Sequence, residues 1–499
     1  MKATALYRKY LTKMQKIADV KYASAVLQWD QETYLPVKGQ SIRGQQIATL
    51  SELAHREFTD KKLGALLLQL QEADALSDRE KRNVQLSLED YEKNKKFTGA
   101  FVRKMSEAVN TSFHAWMRAR KQNDFSLFQQ PLDKLIQLKK QEAEILGYPH
   151  QPYDALLNDH DKGLSTARVD ELFGELIPKL SKLMEQVQKM PAPDTRFLTQ
   201  YFNKETQWKF GIEMLKRIHY DFEAGRQDIS AHPFTTNFNA GDVRITTRID
   251  EHDFMNMTWS CLHEGGHALY EQGLPESEYG LPLGEYASIS IHESQSRLWE
   301  NCIGRSLPFW EQYFPLLCSY FPEQFKGVSL AHFYAAINCI QPSLIRTEAD
   351  ELSYHFHVLI RFEIEKMLIT GTISTKDIPA CWNELYHKHL GINVPDDNQG
   401  CLQDVHWSHG SFGYFPTYSL GSLYATQWHA ALNRENASFE KLVAAGDTSF
   451  ILTWLRQQIF PFGRYYDSDA LCQKATGEKL DSNYFIQYAT KKLDSFITS

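Results

Sequence analysis

SCLHEGGHALYEQG, residues 260–273, is the stretch on which the reading of this chain turns. It carries His263, Glu264 and His267 in the pattern H-E-x-x-H. Four residues advance an α-helix by about 40° beyond one full turn, so imidazoles at that spacing project from one face and can meet a single divalent ion. Glu264 then stands one position round, toward a water on that ion. Met257, Leu262 and Leu269 supply an apolar side and Gly273 a stop, so the pattern predicts a helix. Gly265 and Gly266 within it cost about 1 kcal/mol each relative to alanine. That cost predicts a close approach to the backbone, by a neighbouring strand or a bound peptide. Cys261 is read as helix packing and not as a ligand.

Two imidazoles leave a catalytic site short of a third protein ligand. Twenty-six residues after His267, in SISIHESQSRLWEN, come His292 and Glu293 on a second predicted helix. One residue turns a helix by 100°, so only one of the two is expected to join the set. Arg297, one turn beyond Glu293, is placed either to hold its carboxylate or to form a surface ion pair. With zinc to acidify a water, Glu264 is the group placed to take its proton and return it to a leaving amine. The developing oxyanion needs a further donor. The run GCLQDVHWSHGSFGYFPTYSLG, residues 400–421, offers His406, His409, Tyr414 and Tyr418.

Upstream of the histidine motif the pattern changes period. In HPFTTNFNAGDVRITTRID, from His232, the residues Val243, Ile245, Thr247 and Ile249 alternate with Arg244, Thr246 and Arg248. Asn239, Ala240, Gly241 and Asp242 supply a turn, so a β-hairpin is expected, with its arginines toward substrate. Elsewhere the punctuation is helical. PLDKLIQLKKQEAEILGYP starts at Pro131, repeats apolar residues at helical spacing and stops at Gly147 and Pro149. Pro191 and Pro193 mark a hinge, giving an N-terminal helical part over 1–190 and a catalytic helical region over 191–499 within one continuous peptidase domain.

The chain has 499 residues, 42% hydrophobic and 23% charged, as expected of a globular protein. Its formal charge of −8 supplies no field to hold a polyanion, so nucleic acid is not expected as a partner. Lys93, Lys95 and Lys96 read as a solvated helix face. The first twenty residues read as an amphipathic helix, not a secretory signal, and no stretch reaches the apolar length of a membrane span. Seven scattered cysteines without a CxxC pair fit reduced thiols and a cytoplasmic protein.

Taken together, WDQETYLP from Trp29, HPF from His232, DVRIT from Asp242, HEGGH from His263, HESQ from His292, IRTEADE from Ile345 and GCLQDVHW from Gly400 resemble, in order, the thermostable (Taq-type) HExxH metallocarboxypeptidase family. The resemblance runs over nearly the whole chain. It implies a mainly α, two-lobed helical metallopeptidase with a deep central groove and, with the hairpin, a small antiparallel β-sheet near the active site. It implies that His263, His267 and Glu293 bind the metal and that Glu264 is the general base. It also implies one zinc ion per chain, with cobalt as a substitute, and a homodimer. Its substrates would be peptides with a free C-terminus, trimmed one residue at a time with broad preference and with proline disfavoured.

A free carboxylate is best matched by a bidentate arginine. Arg346 in IRTEADE is the first candidate and Arg244 the second, with His232 a further substrate-binding candidate; pairing of Arg346 with Asp350 is the structural alternative. Thr347 stands where the family more often has proline, a departure that bears on the local turn. Two other functions remain as alternatives: a metal-dependent oligoendopeptidase, and a non-catalytic peptide-binding zinc protein.

Overall fold

The structure, a computed structural model, describes residues 2–497. Among them, twenty α-helices alternate with short 3₁₀ segments, and three strands form one small sheet. The chain folds as two compact units, each assembled from three separate stretches. One takes the residues up to Lys95, Pro193–Ile337 and Tyr424–Lys479; the other takes Lys96–Ala192, Asn338–Leu423 and the residues from Leu480 on. One of the five crossings falls at 192/193, beside the Pro191–Pro193 segment.

The first unit holds the sheet and the histidine motif. Strands β1 (Gly225–Ile229), β2 (Thr235–Asn239) and β3 (Asp242–Thr247) lie in the order β1-β3-β2. β2 and β3 make the expected hairpin, with Thr235 opposite Ile245 and an irregularity between Asn237 and Asn239. The sheet as a whole is mixed and not antiparallel, because β1 joins β3 in parallel, with Gly225 opposite Val243. β1 gives no period-two signal: its sequence GRQDI buries Gln227 and Asp228. Asp228 accepts two hydrogen bonds from Arg226, at 2.7 Å each, and another from the Tyr34 hydroxyl.

The helix Phe254–Gly273 is capped by Asp253, whose carboxylate accepts from the amides of Met255 and Asn256, and it ends at Gly273 as expected. Its start is anchored in an aromatic cluster of Phe202, Phe210, Phe254, Phe321 and Phe325. A Cβ on Gly266 would come within 2.6 Å of the Gln295 carbonyl oxygen and 2.8 Å of the Ser296 Cα. A Cβ on Gly265 would meet the side chains of Ile218 and Leu215. The two glycines therefore admit neighbouring helices, and not the strand or peptide expected from sequence. Cys261 faces from this helix toward β1, accepting from the Gln227 side-chain amide at 3.0 Å, and burial pushes its thiol up to about 12.

In the second unit, the helix expected to start at Pro131 begins at Ser126 and carries Pro131 inside it, because Phe125 and Phe128 are buried and extend the apolar face upstream. Gly147 ends it with φ at 80°. Arg346–Glu348 is a single 3₁₀ turn. Asp350 does not pair with Arg346; its carboxylate caps the helix Ser353–Thr370, accepting from the amides of Leu352 and Ser353 at 2.9 Å.

Candidate active site

Glu293 lies on the short helix Ile289–Arg297, whose backbone runs against Gly266 of the histidine-motif helix. This close crossing brings the side chains of His263, His267 and Glu293 together, with a candidate ligand atom of each within 4.8 Å of the others. The two carboxylate oxygens of Glu293 divide their work. Oε1 accepts from Arg297 Nε at 2.7 Å, while Oε2 lies 3.8 Å from His263 Nε2 and 3.4 Å from His267 Nε2. Donors placed tetrahedrally at about 2.0–2.2 Å from one cation stand roughly 3.4 Å apart, so the set fits a divalent ion.

Burial works to raise the Glu293 carboxyl, but Arg297 and the two imidazoles outweigh it and hold the group well below the ordinary glutamate range. Burial, the neighbouring His292 and His263 push His267 down to about 3, which keeps its ring neutral and able to ligate. At His263, burial is opposed by Glu293 and Glu300, and the ring's affinity for a proton is raised. Its Nδ1 lies 2.8 Å from Glu300 Oε2, which leaves Nε2 facing Glu293. Glu300 belongs to a π-helix, Leu298–Ile303, a rare form that recurs at functional sites. Arg305 and Arg297 also reach Glu300, at 3.1 and 3.3 Å.

Glu264 is buried, and burial raises its carboxyl above the ordinary value. The Thr235 hydroxyl, on β2, donates to its Oε2 at 2.6 Å and so ties the sheet to this acid. His292 stacks on His267 at 4.4 Å and donates from Nε2 to Glu271 Oε1 at 2.8 Å.

The other candidates fall in two places. Arg244 is bound to Asp242 at 2.8 Å and lies over the Trp29 ring at 4.4 Å; His232 is exposed and its carbonyl accepts from the Ser230 hydroxyl. Arg346, His406, Tyr414 and Tyr418 belong to the second unit. There Arg346 is 6% exposed and gives Nε and Nη2 to Asp404 Oδ1 and Nη1 to the Tyr354 hydroxyl. Asp404 Oδ2 accepts from Arg361, which has no exposed surface. Burial tends to raise the Asp404 carboxyl, yet the two arginines hold it far below the usual range. His406 Nε2 and the Tyr418 hydroxyl are 3.0 Å apart, and Tyr414 packs against both rings. His409 is exposed and bonds to Ser411.

Thr235, Glu300, Glu271, Asp404 and Arg361 were not singled out by the sequence reading. Glu300 had a signal, since positions 293, 297 and 300 share one helical face. Thr235 had one in its place on the strand preceding the motif; the other three needed tertiary contacts.

The sequence profile of the carboxypeptidase Taq (M32) metallopeptidase family matches residues 9–493. This chain belongs to that family. By that membership it is a metallocarboxypeptidase, a hydrolase of peptide bonds, and its chemistry calls for a divalent metal. It is 39% identical over 487 residues to carboxypeptidase 1 of Bacillus subtilis, covering 97% of each chain. Among solved structures it is similar to one described as CHT, with 55% identity, a TM-score of 0.96 and coverage of 98% of this chain and 99% of that one. It is also similar to the M32 carboxypeptidase of Deinococcus radiodurans R1, with 38% identity, a TM-score of 0.97 and coverage of 99% and 100%.

Proposed function

We propose that this M32 enzyme is a zinc-dependent carboxypeptidase that removes C-terminal residues from peptides one at a time, with broad preference and with proline disfavoured. The observation that carries the reading is the convergence of His263, His267 and one oxygen of Glu293, with the Glu264 carboxyl buried beside them. His263, His267 and Glu293 would hold the ion, and a His₂Glu set suits hydrolytic zinc, with cobalt able to replace it. When bound, the ion supplies a Lewis acid that polarises a carbonyl and acidifies water. Glu264 takes a proton from the attacking water on its carboxylate and delivers it to the leaving amine nitrogen. Thr235 holds Glu264 Oε2, leaving Oε1 for that transfer.

Arg346 is the proposed recogniser of the substrate carboxylate. In its support, two buried guanidiniums, Arg346 and Arg361, share the single carboxylate of Asp404, a local excess of positive charge suited to an anion. Arg244 and His232 are the secondary contacts, and His406, Tyr414 and Tyr418 the candidate oxyanion donors. A homodimer is proposed on the family resemblance. A cytoplasmic location is proposed because all seven cysteines are free thiols. Among the described residues no helix is long and apolar enough to cross a membrane.

The test pairs elemental analysis with digestion of an N-blocked dipeptide and its C-terminal amide. One zinc per chain and chelator-sensitive release of the C-terminal amino acid from the free acid alone are expected. Equal cleavage of the amide would favour the oligoendopeptidase, and metal binding without any cleavage would favour a non-catalytic zinc protein.

A further inference from the structure

The two histidines of the site are held by unlike means. His263 has the Glu300 carboxylate at its Nδ1, 2.8 Å away. The Nδ1 of His267 is buried and has no hydrogen-bond partner among the described residues. A metal-ligating imidazole ordinarily gives its second nitrogen to a carboxylate, carbonyl or water that fixes the ring. What the described residues place against His267 is a ring face: His292 lies on it with ring centroids 4.4 Å apart and planes 26° from parallel.

His292 is itself fixed on several sides. Its Nε2 donates to Glu271 Oε1 at 2.8 Å, and the other Glu271 oxygen accepts from the Asn237 side-chain amide on β2. Tyr286 meets the His292 ring edge-on at 4.7 Å. Glu271 is 5% exposed, so this is an interior anchor and not a surface pair. Glu271 is one turn beyond His267 on its helix, and His292 precedes Glu293 on the next, so the contact joins the two ligand-bearing helices directly.

We infer that His292 is a positioning residue for His267, acting through ring stacking, with Glu271 and Asn237 fixing the His292 ring from the sheet. The inference rests on the proposed ligand set. A flat aromatic ring at position 292 is then the requirement, and the hydrogen bond to Glu271 serves to orient it. Phenylalanine would retain most of the function, whereas leucine, of similar bulk but not planar, would let the His267 ring rotate about its χ2.

The experiment compares wild type, His292→Phe and His292→Leu as full-length proteins. Zinc dissociation constants are measured by competition with a chromophoric chelator, and the visible spectrum of the cobalt-loaded protein reports ligand geometry. Leucine is expected to weaken zinc binding roughly tenfold to hundredfold, the range for loss of a supporting partner, and to alter the cobalt bands. Phenylalanine is expected to stay within about threefold of wild type, with wild-type bands. Equal losses in the two variants would overturn the stacking role, as would wild-type affinity in His292→Leu. Wild type that bound no metal would instead remove the ligand assignment beneath the inference. If the leucine variant fails to fold, His292→Phe still decides the matter, because a large loss of affinity there contradicts a role carried by the ring face.

Discussion

His263 Nδ1 and Glu300 Oε2 lie 2.8 Å apart, and that contact decides which nitrogen of the ring faces the site. With Nδ1 committed to the carboxylate, Nε2 is left toward Glu293 and toward any ion held there. Arg297 and Arg305 flank Glu300, and with the His263 contact they overcome burial and bring its carboxyl down to about 2, so it is ionised at any working pH. Glu300→Gln keeps the shape and removes the charge. Metal affinity, measured by chelator competition, is expected to fall roughly tenfold to hundredfold.

Glu264→Gln separates chemistry from metal binding. The amide can still accept from Thr235 but cannot take a proton. Turnover of a blocked dipeptide is expected to drop by roughly 10²–10⁴ while metal content by elemental analysis stays at the wild-type level. Unchanged turnover would remove Glu264 from its role as base.

Arg346→Gln probes the anion recogniser. Charged hydrogen bonds contribute about 1.5–3 kcal/mol, so kcat/KM for free-acid peptides is expected to fall roughly tenfold to hundredfold. The ratio of free-acid to amide cleavage should narrow with it. A uniform loss on both substrates would mean that Arg346 supports the fold around Asp404 and does not read the C-terminus.

Gly266→Ala and Gly265→Ala should differ although they are neighbours. At 266 the new methyl meets backbone, 2.6 Å from the Gln295 carbonyl oxygen, and pushes the two ligand-bearing helices apart. At 265 it meets the ends of Ile218 and Leu215, which can shift, and the helix gains about 1 kcal/mol from losing a glycine. Denaturant unfolding of the metal-free proteins is expected to show Gly266→Ala destabilised by roughly 1–3 kcal/mol and Gly265→Ala by clearly less.

Glu365 gives a pH dependence far from the metal ligands in sequence and in the other unit. It has no exposed surface and accepts from the Tyr153 hydroxyl at 2.6 Å, Trp407 Nε1 at 2.8 Å and the Gly413 amide at 2.8 Å. Burial outweighs these donors and raises its carboxyl from 4.5 to about 7. The folded protein therefore holds a proton that the unfolded chain has released. The stability contribution is fully present below about 4.5 and is lost as pH rises through about 7. The difference corresponds to roughly 3 kcal/mol. Denaturant unfolding of wild type and Glu365→Gln between pH 4 and 8 should show that slope in the wild type alone.

Much of this fold was legible because its signals are local. The alternation from Val243 to Thr247 gave β3, and the apolar side of the histidine-motif helix gave its extent to Gly273. β1 was not legible, because its buried residues Gln227 and Asp228 are polar and take partners, Cys261 and Tyr34, that lie 34 and 194 residues away. The same reason hid Glu271, whose partners Asn237 and His292 lie 34 and 21 residues away. Pro131 misled in the opposite direction: a proline suggests a helix start, but the buried Phe125 and Phe128 carry the helix through it.

The threading of the chain through its two units has a consequence during synthesis. The unit that carries His263 and Glu293 takes its last stretch from Tyr424–Lys479, and the other unit is finished only by residues from Leu480 onward. A ribosome must therefore release every residue up to Lys479 before the first unit has all of its parts, and residues beyond Leu480 before the second does. No single cut in the gene yields a fragment that contains one whole unit and nothing of the other.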